Sequence, residues 1–398
     1  MKKKILIIGN GFDLYHKLPT GYKDFLFFVK HWKTFKEEYD KQDTSSDNKS
    51  GEMIEVRLGD RNELTLESLI DFASHASLYS KEHIAYLDEH IHDNAWLIYF
   101  EKITLPRQNW IDFEAEIERA LTQIEVYYHK FLPNVFNDVP LGTMPDLMKK
   151  VIYTFSDILE KKDVGYSNLA KGVFCALQDA DPEKLHPNKV KLLSFMKDEL
   201  DKLNKCLDYY LLEFVSVIKC GVYSQQIKEL GNIFLLNFNY TYTYSTVYGR
   251  EALMQHHPIH GDAKEENLVL GISDESFVNS MDYVYFQKFF QRIQKKTGNY
   301  YKEWPVRPKA MTLDDAPAQV FIMGHSLNKV DKGILKDFFQ EQYVETIKIF
   351  YHSQSGYESQ VINLIEMFGR DFVIDQTGKG RIIFEKLNPP ITGNPRTV

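Results

Sequence analysis

Four short polar segments of this sequence adjoin apolar runs, and they contain residue types that bind nucleotides or transfer protons. The first is "GNGFD", Gly9–Asp13, which follows the apolar run "ILII". The others are "NFNYT" from Asn237, "HHPIHGD" from His256 and "GHSLNKVD" from Gly324. If the apolar runs are parallel strands of one sheet, their carboxyl ends meet at the edge where open α/β sheets bind ligands. The sequence therefore predicts one site built from separate segments.

The glycine pair of the first segment suits a phosphate group. Glycine lets backbone N–H groups approach a ligand closely and tolerates positive φ. Gly9, Asn10 and Gly11 are therefore candidates to bind a nucleotide phosphate or ribose. The dinucleotide fingerprint G-x-G-x-x-G is incomplete, because its third glycine is missing. A tight turn that binds nothing explains the same glycines.

Asn239 and His260 are the candidate catalytic residues. A carboxamide at a strand end can hydrogen-bond a sugar hydroxyl or orient a water molecule, and a histidine can act as a general base near neutral pH. The alternatives are an asparagine that caps a strand end or helix, and a turn histidine beside Gly261. Ser326 either caps the following helix or meets a phosphate at its N-terminus. The residues alone leave these alternatives open.

The histidines His256, His257 and His260 do not predict a metal site. Residues four apart share a helical face, but Pro258 lies between them and disfavours a continuous helix. No carboxylate completes an H-E-x-x-H pattern. We therefore expect no bound metal.

The elements that must position these segments show two apolar patterns. From about residue 64 to residue 220 the apolar residues recur at steps of three and four, which is typical of amphipathic helices. Two long helices are predicted, over residues 110–131 and 195–219. We expect both to pack in a helical bundle.

Short, nearly continuous apolar runs occur on both sides of this helical region and predict strands. They lie at residues 4–9, 233–240, 267–273, 318–326 and 347–353. Such runs, with helices between them, predict an α/β fold: a Rossmann-like, mainly parallel sheet flanked by helices. The predicted domains are 1–50 plus 231–398 for the nucleotide-binding sheet, and 51–230 for a large α-helical insertion.

Composition and charge exclude several classes of protein. The 398 residues are 43% hydrophobic, which is enough for a large core. Acidic residues outnumber basic ones by 56 to 48 without a long basic block, so nucleic acid is disfavoured as the main partner. No apolar stretch reaches the length of about 18 residues needed to span a membrane. The scattered cysteines Cys175, Cys206 and Cys220 predict neither a disulfide framework nor a zinc site and fit a cytoplasmic protein.

Three segments together resemble the AbiH family, named for abortive infection of phage-attacked bacteria. They are "GNGFDLYHKLPTGYKDF" near the start, "WIDFE" from Trp110 and "FNYT" from Phe238. The resemblance covers most of the chain. It implies a role in antiviral defence, with a phage-derived trigger as a possible partner.

The order of the motifs also resembles the sirtuin-like group of NAD-binding domains. That group has a glycine turn after its first strand, then an asparagine at a strand end, a His-Gly pair, and a Gly-x-Ser element followed by an aspartate. The chain departs from sirtuins at Phe12 and Asp13, where they have a small residue and a serine, and it lacks their cysteine quartet for zinc. The resemblance therefore implies cleavage of NAD rather than deacylation of protein lysines.

Under this resemblance NAD is the substrate or ligand, and the residues take separate roles. Gly9–Gly11 would hold the pyrophosphate through N–H groups, and Asn239 the nicotinamide ribose or the attacking water. His260 would act as base, and Gly324 and Ser326 would meet the adenosine half. Asp13 would bind a ribose hydroxyl or orient a neighbour. The expected cofactor-binding set is Gly9, Asn10, Gly11, Phe12, Asp13, Asn237, Gly261, Gly324, Ser326 and Asp331.

Two further functions stay open. One is a regulatory module that binds NAD, ADP-ribose or a signalling nucleotide without cleaving it. The other is a toxin acting on nucleic acid, with Asp112 and Glu116 as metal-binding carboxylates on one helical face; a solvated helix face explains that spacing better. The helical insertion would form a homo-oligomer, cover the cleft or sense infection.

Overall fold

A computed structural model of the chain describes residues 2–42, 53–104, 112–131, 144–162, 189–306 and 317–396. The chain divides into two compact units. The first comprises Met1–Ser80, Asp208–Val269 and Arg292–Val398, and the second comprises Lys81–Leu207 and Leu270–Gln291.

A six-stranded parallel sheet is the centre of the first unit. The described residues contain these six strands and a separate pair, β2 and β8: β1 (Lys4–Ile8), β2 (Val222–Tyr223), β3 (Ile233–Asn237), β4 (Leu253–Pro258), β5 (Ala318–Met323), β6 (Val344–Tyr351), β7 (Ile382–Lys386) and β8 (Ile391–Thr392). The sheet has the order β4-β3-β1-β5-β6-β7, and β2 pairs with β8 separately in antiparallel fashion. From β1 the chain adds two strands on one side and then three on the other, which is the order of a doubly wound Rossmann fold. The prediction of an α/β, Rossmann-like parallel sheet is confirmed.

The helices are numbered through both units. They are α1 (Asn10–Tyr15), α2 (Tyr22–Lys30), α3 (Trp32–Tyr39), α4 (Leu66–Ala73), α5 (Lys81–His90), α6 (Ala95–Thr104), α7 (Phe113–Val126), α8 (Asp146–Lys162), α9 (Lys189–Tyr209), α10 (Gln225–Lys228), α11 (Thr243–Tyr248), α12 (Lys288–Gln294), α13 (Lys332–Phe339), α14 (Gln354–Phe368) and α15 (Arg370–Gly378). The two long predicted helices are confirmed as α7 and α9. Each ends in a π-helical turn, at Tyr127–Phe131 and Tyr210–Val215.

The strands are apolar on both faces because helices cover both. Along β1, Ile5 and Ile7 pack into the core on one face of the sheet, whereas Leu6 and Ile8 pack into the core on the other. All four side chains are buried. The sequence of such a strand is a continuous apolar run, without the alternation of apolar and polar residues that a half-exposed strand shows.

The first unit includes segments that the sequence analysis assigned to the helical insertion, namely residues 53–80 and 208–230. Aromatic packing holds them there. The Phe214 ring lies 4.6 Å from the Phe28 ring and 4.9 Å from the Tyr79 ring, centroid to centroid. Phe72 and Phe35 contact the same ring. Helices α2 to α4 and the end of the long helix thus form one aromatic cluster.

The prediction of a strand at residues 267–273 is wrong. Its Val269 N–H donates to the His260 carbonyl, and its Leu270 N–H and C=O bond the Gln291 carboxamide, so side chain and loop replace a neighbouring strand. Residues 256–258 are the end of β4. Pro258 is tolerated because β4 is an edge strand and a proline there removes no ladder bond.

The second unit is helical, and one buried cluster of aromatic rings joins α6, α7 and α8. The Trp96 ring lies 4.7 Å from Phe155, and the Phe100 ring lies 4.3 Å from Phe113. Within the described ranges, the chain has no helix that is both long and apolar enough to cross a membrane.

Candidate functional site

Two of the sequence motifs meet at the carboxyl edge of the sheet through one hydrogen bond. Thr241 Oγ1 donates to Asp13 Oδ2 at 2.6 Å, and the Thr241 and Thr243 hydroxyl oxygens are 3.0 Å apart. Asp13 lies in the first turn of α1, directly after β1, and Thr241 follows β3, which pairs with β1. The sheet register therefore joins "GFD" to "FNYT", although 228 residues separate the two side chains.

Asp13 is a buried carboxyl group with a perturbed pKa. Only 1% of the residue is exposed, and this burial raises its pKa from 3.8 to about 6, while Thr241, Thr243 and Asn239 oppose the rise. Its Oδ1 atom has no hydrogen-bond partner in the described part of the chain. A carboxyl group with such a pKa can exchange a proton near neutral pH.

Asn239 lies beside this carboxyl, and its side chain is held in a buried position. The residue is 5% exposed, and neither its Nδ2 nor its Oδ1 has a hydrogen-bond partner of ordinary geometry among the described residues. Its backbone N–H donates to Asn237 Oδ1, and Asn237 Nδ2 donates to the Thr241 carbonyl. The Asn237 carboxamide thus shapes the loop after β3. The loop presents Asn239 with unused hydrogen-bonding capacity, which is costly for a buried amide.

Asp331 lies between two buried histidines. Its Oδ1 is 3.4 Å from His260 Nε2, and its Oδ2 is 3.4 Å from His325 Nε2. Both imidazoles meet the Phe238 ring edge-on, at centroid distances of 5.2 and 4.4 Å. Phe238, His260 and His325 follow the ends of β3, β4 and β5, whereas Asp331 directly precedes α13. We call His260, Asp331 and His325 the His–Asp–His cluster.

The predicted glycines bring two loops into close backbone contact. The Gly9 N–H donates to the Met323 carbonyl and the Gly11 N–H to the Gly324 carbonyl. Gly324 has φ +71°, and a Cβ there would overlap the Phe12 backbone nitrogen. The N–H groups of Gly9 and Gly11 are thus engaged within the protein rather than pointing to a ligand.

Other predicted binding residues lie in varied surroundings. Phe12 is buried in the core against Tyr244 and Tyr248. Asn10 accepts a hydrogen bond from the Thr20 hydroxyl at 2.6 Å, and Ser326 is exposed. Gly261 has φ +77° and packs against Asn267 so closely that a side chain would collide with it.

A pocket of about 470 Å³ opens beside the Asp13–Thr241 pair. Thr241 and Thr243 line it, together with Tyr242 and Lys264, and Lys264 Nζ lies 4.6 Å above the Tyr242 ring. Leucines, valines and one isoleucine of the first unit also line it, and some of them belong to the π-helical turn Tyr210–Val215. An apolar pocket with a few polar groups beside a perturbed carboxyl is the usual form of a small-molecule site, and π-turns often occur at functional sites.

Two of the residues considered for metal binding, His257 and Asp112, are engaged in structural hydrogen bonds. His257 Nδ1 accepts the Tyr301 N–H and its Nε2 lies 3.0 Å from the Thr297 carbonyl, while burial lowers its pKa to about 4. Asp112 caps α7 by accepting the Glu114 and Ala115 N–H groups. In the parts of the chain that the structure describes, no three His, Cys, Asp or Glu side chains are arranged to hold a metal ion.

Sequence reasoning named Asn239, His260, Asp13 and Asp331 but missed His325 and the role of Thr241. His325 stands inside "GHS", between two residues that were selected, and the signal was its place directly after a buried strand. Thr241 closes the "NFNYT" segment. Its bond to Asp13 depends on strand pairing, which the linear sequence does not display.

The family model described as bacteriophage abortive infection AbiH matches residues 5–353. This range holds both motifs that meet at Asp13 and Thr241, and all members of the His–Asp–His cluster. Comparisons with curated proteins and with solved structures gave no match.

Proposed function

This chain belongs to the AbiH family of bacteriophage abortive infection proteins, and on that premise we propose that it acts in defence by hydrolysing the nicotinamide–ribose bond of NAD. The family supports the defence role. NAD as substrate, a phage-derived trigger, a cytoplasmic location and assembly into a homo-oligomer are parts of the proposal.

The observation that carries the proposal is the pair of unsatisfied buried polar groups at the carboxyl edge of the sheet. Among the described residues, neither polar atom of the Asn239 carboxamide nor Asp13 Oδ1 has a hydrogen-bond partner of ordinary geometry. The two side chains interact with each other, since Asn239 lowers the pKa of Asp13, which burial raises to about 6. Buried groups without partners are costly, so they indicate a ligand that supplies the missing hydrogen bonds. Sugar hydroxyls and water, which both donate and accept, match a carboxamide beside a carboxylate.

The chemistry requires little from the protein beyond positioning and proton acceptance. The bond between ribose C1′ and the nicotinamide nitrogen breaks, its electron pair leaves on the neutral base, and the sugar passes through an oxocarbenium-like transition state. Water forms the new C1′–O bond and gives up one proton. Asn239 would hold a ribose hydroxyl or this water, and His260 would take the proton.

Asp13 acts through Thr241 in this scheme. Because the Thr241 hydroxyl donates its hydrogen to Asp13, its oxygen can only accept. The Thr243 hydroxyl, 3.0 Å away, is one donor to it, and a group in the pocket can be a second. The Asp13 carboxylate thereby fixes the direction in which Thr241 accepts. The pocket of about 470 Å³ has room for one end of a dinucleotide.

The sequence of the glycine turn suggests a phosphate-binding loop, but in the proposed function the turn has a structural role. Since the Gly9 and Gly11 N–H groups donate to the loop after β5, they place α1 and therefore Asp13. The proposal rests on side chains at the edge of the sheet and not on these two N–H groups.

The test measures NAD in bacteria that express the protein during phage infection, and in parallel with purified protein incubated with infected-cell extract. Wild type should deplete NAD and release nicotinamide, whereas Asn239→Ala and His260→Ala should lose both depletion and protection. The exposed residues Asn388 and His92 offer matched controls, Asn388→Ala and His92→Ala, which should behave as wild type.

Protection against phage with undiminished NAD would overturn the proposal. Calorimetric binding of NAD or ADP-ribose, with protection and without release of nicotinamide, would instead identify a nucleotide-sensing module at the same site.

A further inference from the structure

Hydrogen bonds within its own loop fix the backbone of Asp331, independently of its contacts with the two histidines. The preceding Asn328 accepts the Val330 N–H with its side chain and the Asp331 N–H with its carbonyl, at 3.2 and 3.1 Å. Asp331 directly precedes α13 and is 9% exposed. The backbone from which the carboxylate extends is therefore fixed, and the residue has little access to solvent.

The second histidine, His325, has a defined tautomer. Its Nδ1 accepts the Leu327 backbone N–H at 2.9 Å, so Nδ1 carries no proton. A neutral His325 must then carry its proton on Nε2, the atom that faces Asp331 Oδ2 at 3.4 Å. His325 thus presents a donor to one oxygen of the carboxylate.

The other oxygen of Asp331 faces His260 Nε2 at the same distance of 3.4 Å. Phe238 packs against both imidazole rings and limits their rotation. Phe238 is also the residue directly before Asn239, so the ring that orients the histidines belongs to the loop that carries the carboxamide.

We infer that Asp331 is the positioning residue of His260, and that His325 is the anchor that orients Asp331. This inference rests on the proposed hydrolysis of NAD. When His260 accepts a proton from water, positive charge develops on its ring, and the adjacent Asp331 carboxylate stabilises that charge. His325 keeps one carboxylate oxygen engaged, so the other remains directed at His260.

The experiment compares wild type with Asp331→Asn, which keeps the shape and removes the charge. Its kcat for NAD cleavage should fall by about 10- to 100-fold, a fraction of what a general base contributes, with KM nearly unchanged. Asp331→Glu should recover part of kcat. Lys329→Ala, at an exposed position of the same turn, serves as the control and should keep wild-type kinetics.

A second readout does not require catalysis. In ¹⁵N spectra of histidine-labelled wild-type protein, neutral His325 should show the tautomer protonated on Nε2, and the His260 signals should shift in Asp331→Asn but not in Lys329→Ala. His325→Gln keeps the carboxylate and should also shift the His260 signals. If Asp331→Asn loses the native amide spectrum, His325→Gln is compared with wild type instead.

The two readouts separate the inference from the proposed function. A wild-type protein that does not cleave NAD removes the reaction, and the spectra still decide whether Asp331 positions His260. Unchanged His260 signals in both variants, or a kcat of Asp331→Asn within twofold of wild type, would overturn the inference.

Discussion

Replacing Asp13 by asparagine should stabilise the protein near neutral pH. Burial raises the folded-state pKa of Asp13 from 3.8 to about 6, so the folded protein holds the proton more tightly than the unfolded chain does. Between these two pKa values the folded state binds more protons, and its stability falls as pH rises. At about 1.4 kcal/mol per pKa unit, the ionised carboxyl costs roughly 3 kcal/mol above pH 6.

Asparagine has the same shape and no charge, so it removes this cost. Its side-chain oxygen can still accept the Thr241 hydroxyl, and the adjacent Asn239 carboxamide can accept from the new amide nitrogen. Of the roughly 3 kcal/mol, about 1.4 kcal/mol develops between pH 5 and pH 8. The gain in free energy of unfolding should therefore be larger at pH 8 than at pH 5 by that amount.

The assay is urea unfolding of wild type and Asp13→Asn at pH 5, 6, 7 and 8, followed by circular dichroism. Asp24→Asn is the matched control at a second buried carboxyl. Asp24 accepts the Gly21 and Leu64 backbone N–H groups, one with each oxygen, and its replacement should destabilise the protein at every pH. If Asp13→Asn were less stable than wild type at pH 8, or if the difference between the two proteins were independent of pH, the reasoning on Asp13 would be refuted.

Three further predictions concern backbone, loop and helical unit. Gly324→Ala should lower the free energy of unfolding by about 3 kcal/mol or more, because φ is +71° and the new Cβ overlaps the first turn of α1; urea denaturation measures it. Asn237→Ala should lower the melting temperature because its carboxamide bonds the loop, whereas Asn239→Ala should leave that temperature nearly unchanged and abolish cleavage. Lys288→Met should destabilise the helical unit by about 3–5 kcal/mol, since the buried ammonium pairs with Glu114 at 2.9 Å and the variant removes this partner from the carboxylate; equal stability by calorimetry would contradict this.

The fold was largely predictable because strands buried on both faces are visible as apolar runs. β1, β3, β5 and β6 all have this pattern, and the sheet joins them. β4 and β7 are edge strands with polar and charged side chains, such as His256 and Glu385, so the same criterion does not find them. The apolar run at 267–273 misled for the opposite reason: it is buried, but side-chain and loop bonds satisfy its backbone.

The candidate site was predictable in its location and less so in its contacts. Polar residues at strand ends identify the edge, which is how Asn239 and His260 were found. Which of them touch depends on strand order, and the bond between Asp13 and Thr241 exists only because β3 pairs with β1. His325 was missed since its role is defined by Asp331, which lies in a separate turn.

The position of the candidate site depends on the loops after β1 and β5, the two strands between which the order of the sheet reverses. With this strand order, the ligand crevice of a doubly wound fold opens between β1 and β5. Here the loops after these strands bond to each other instead, through the N–H groups of Gly9 and Gly11. Their contact leaves Asp13 facing Thr241 on the β3 side, where the pocket lies. A side chain at Gly324 would separate these loops, and we therefore expect Gly324→Ala, where it folds, to lose activity together with the hydrogen bond between Asp13 and Thr241.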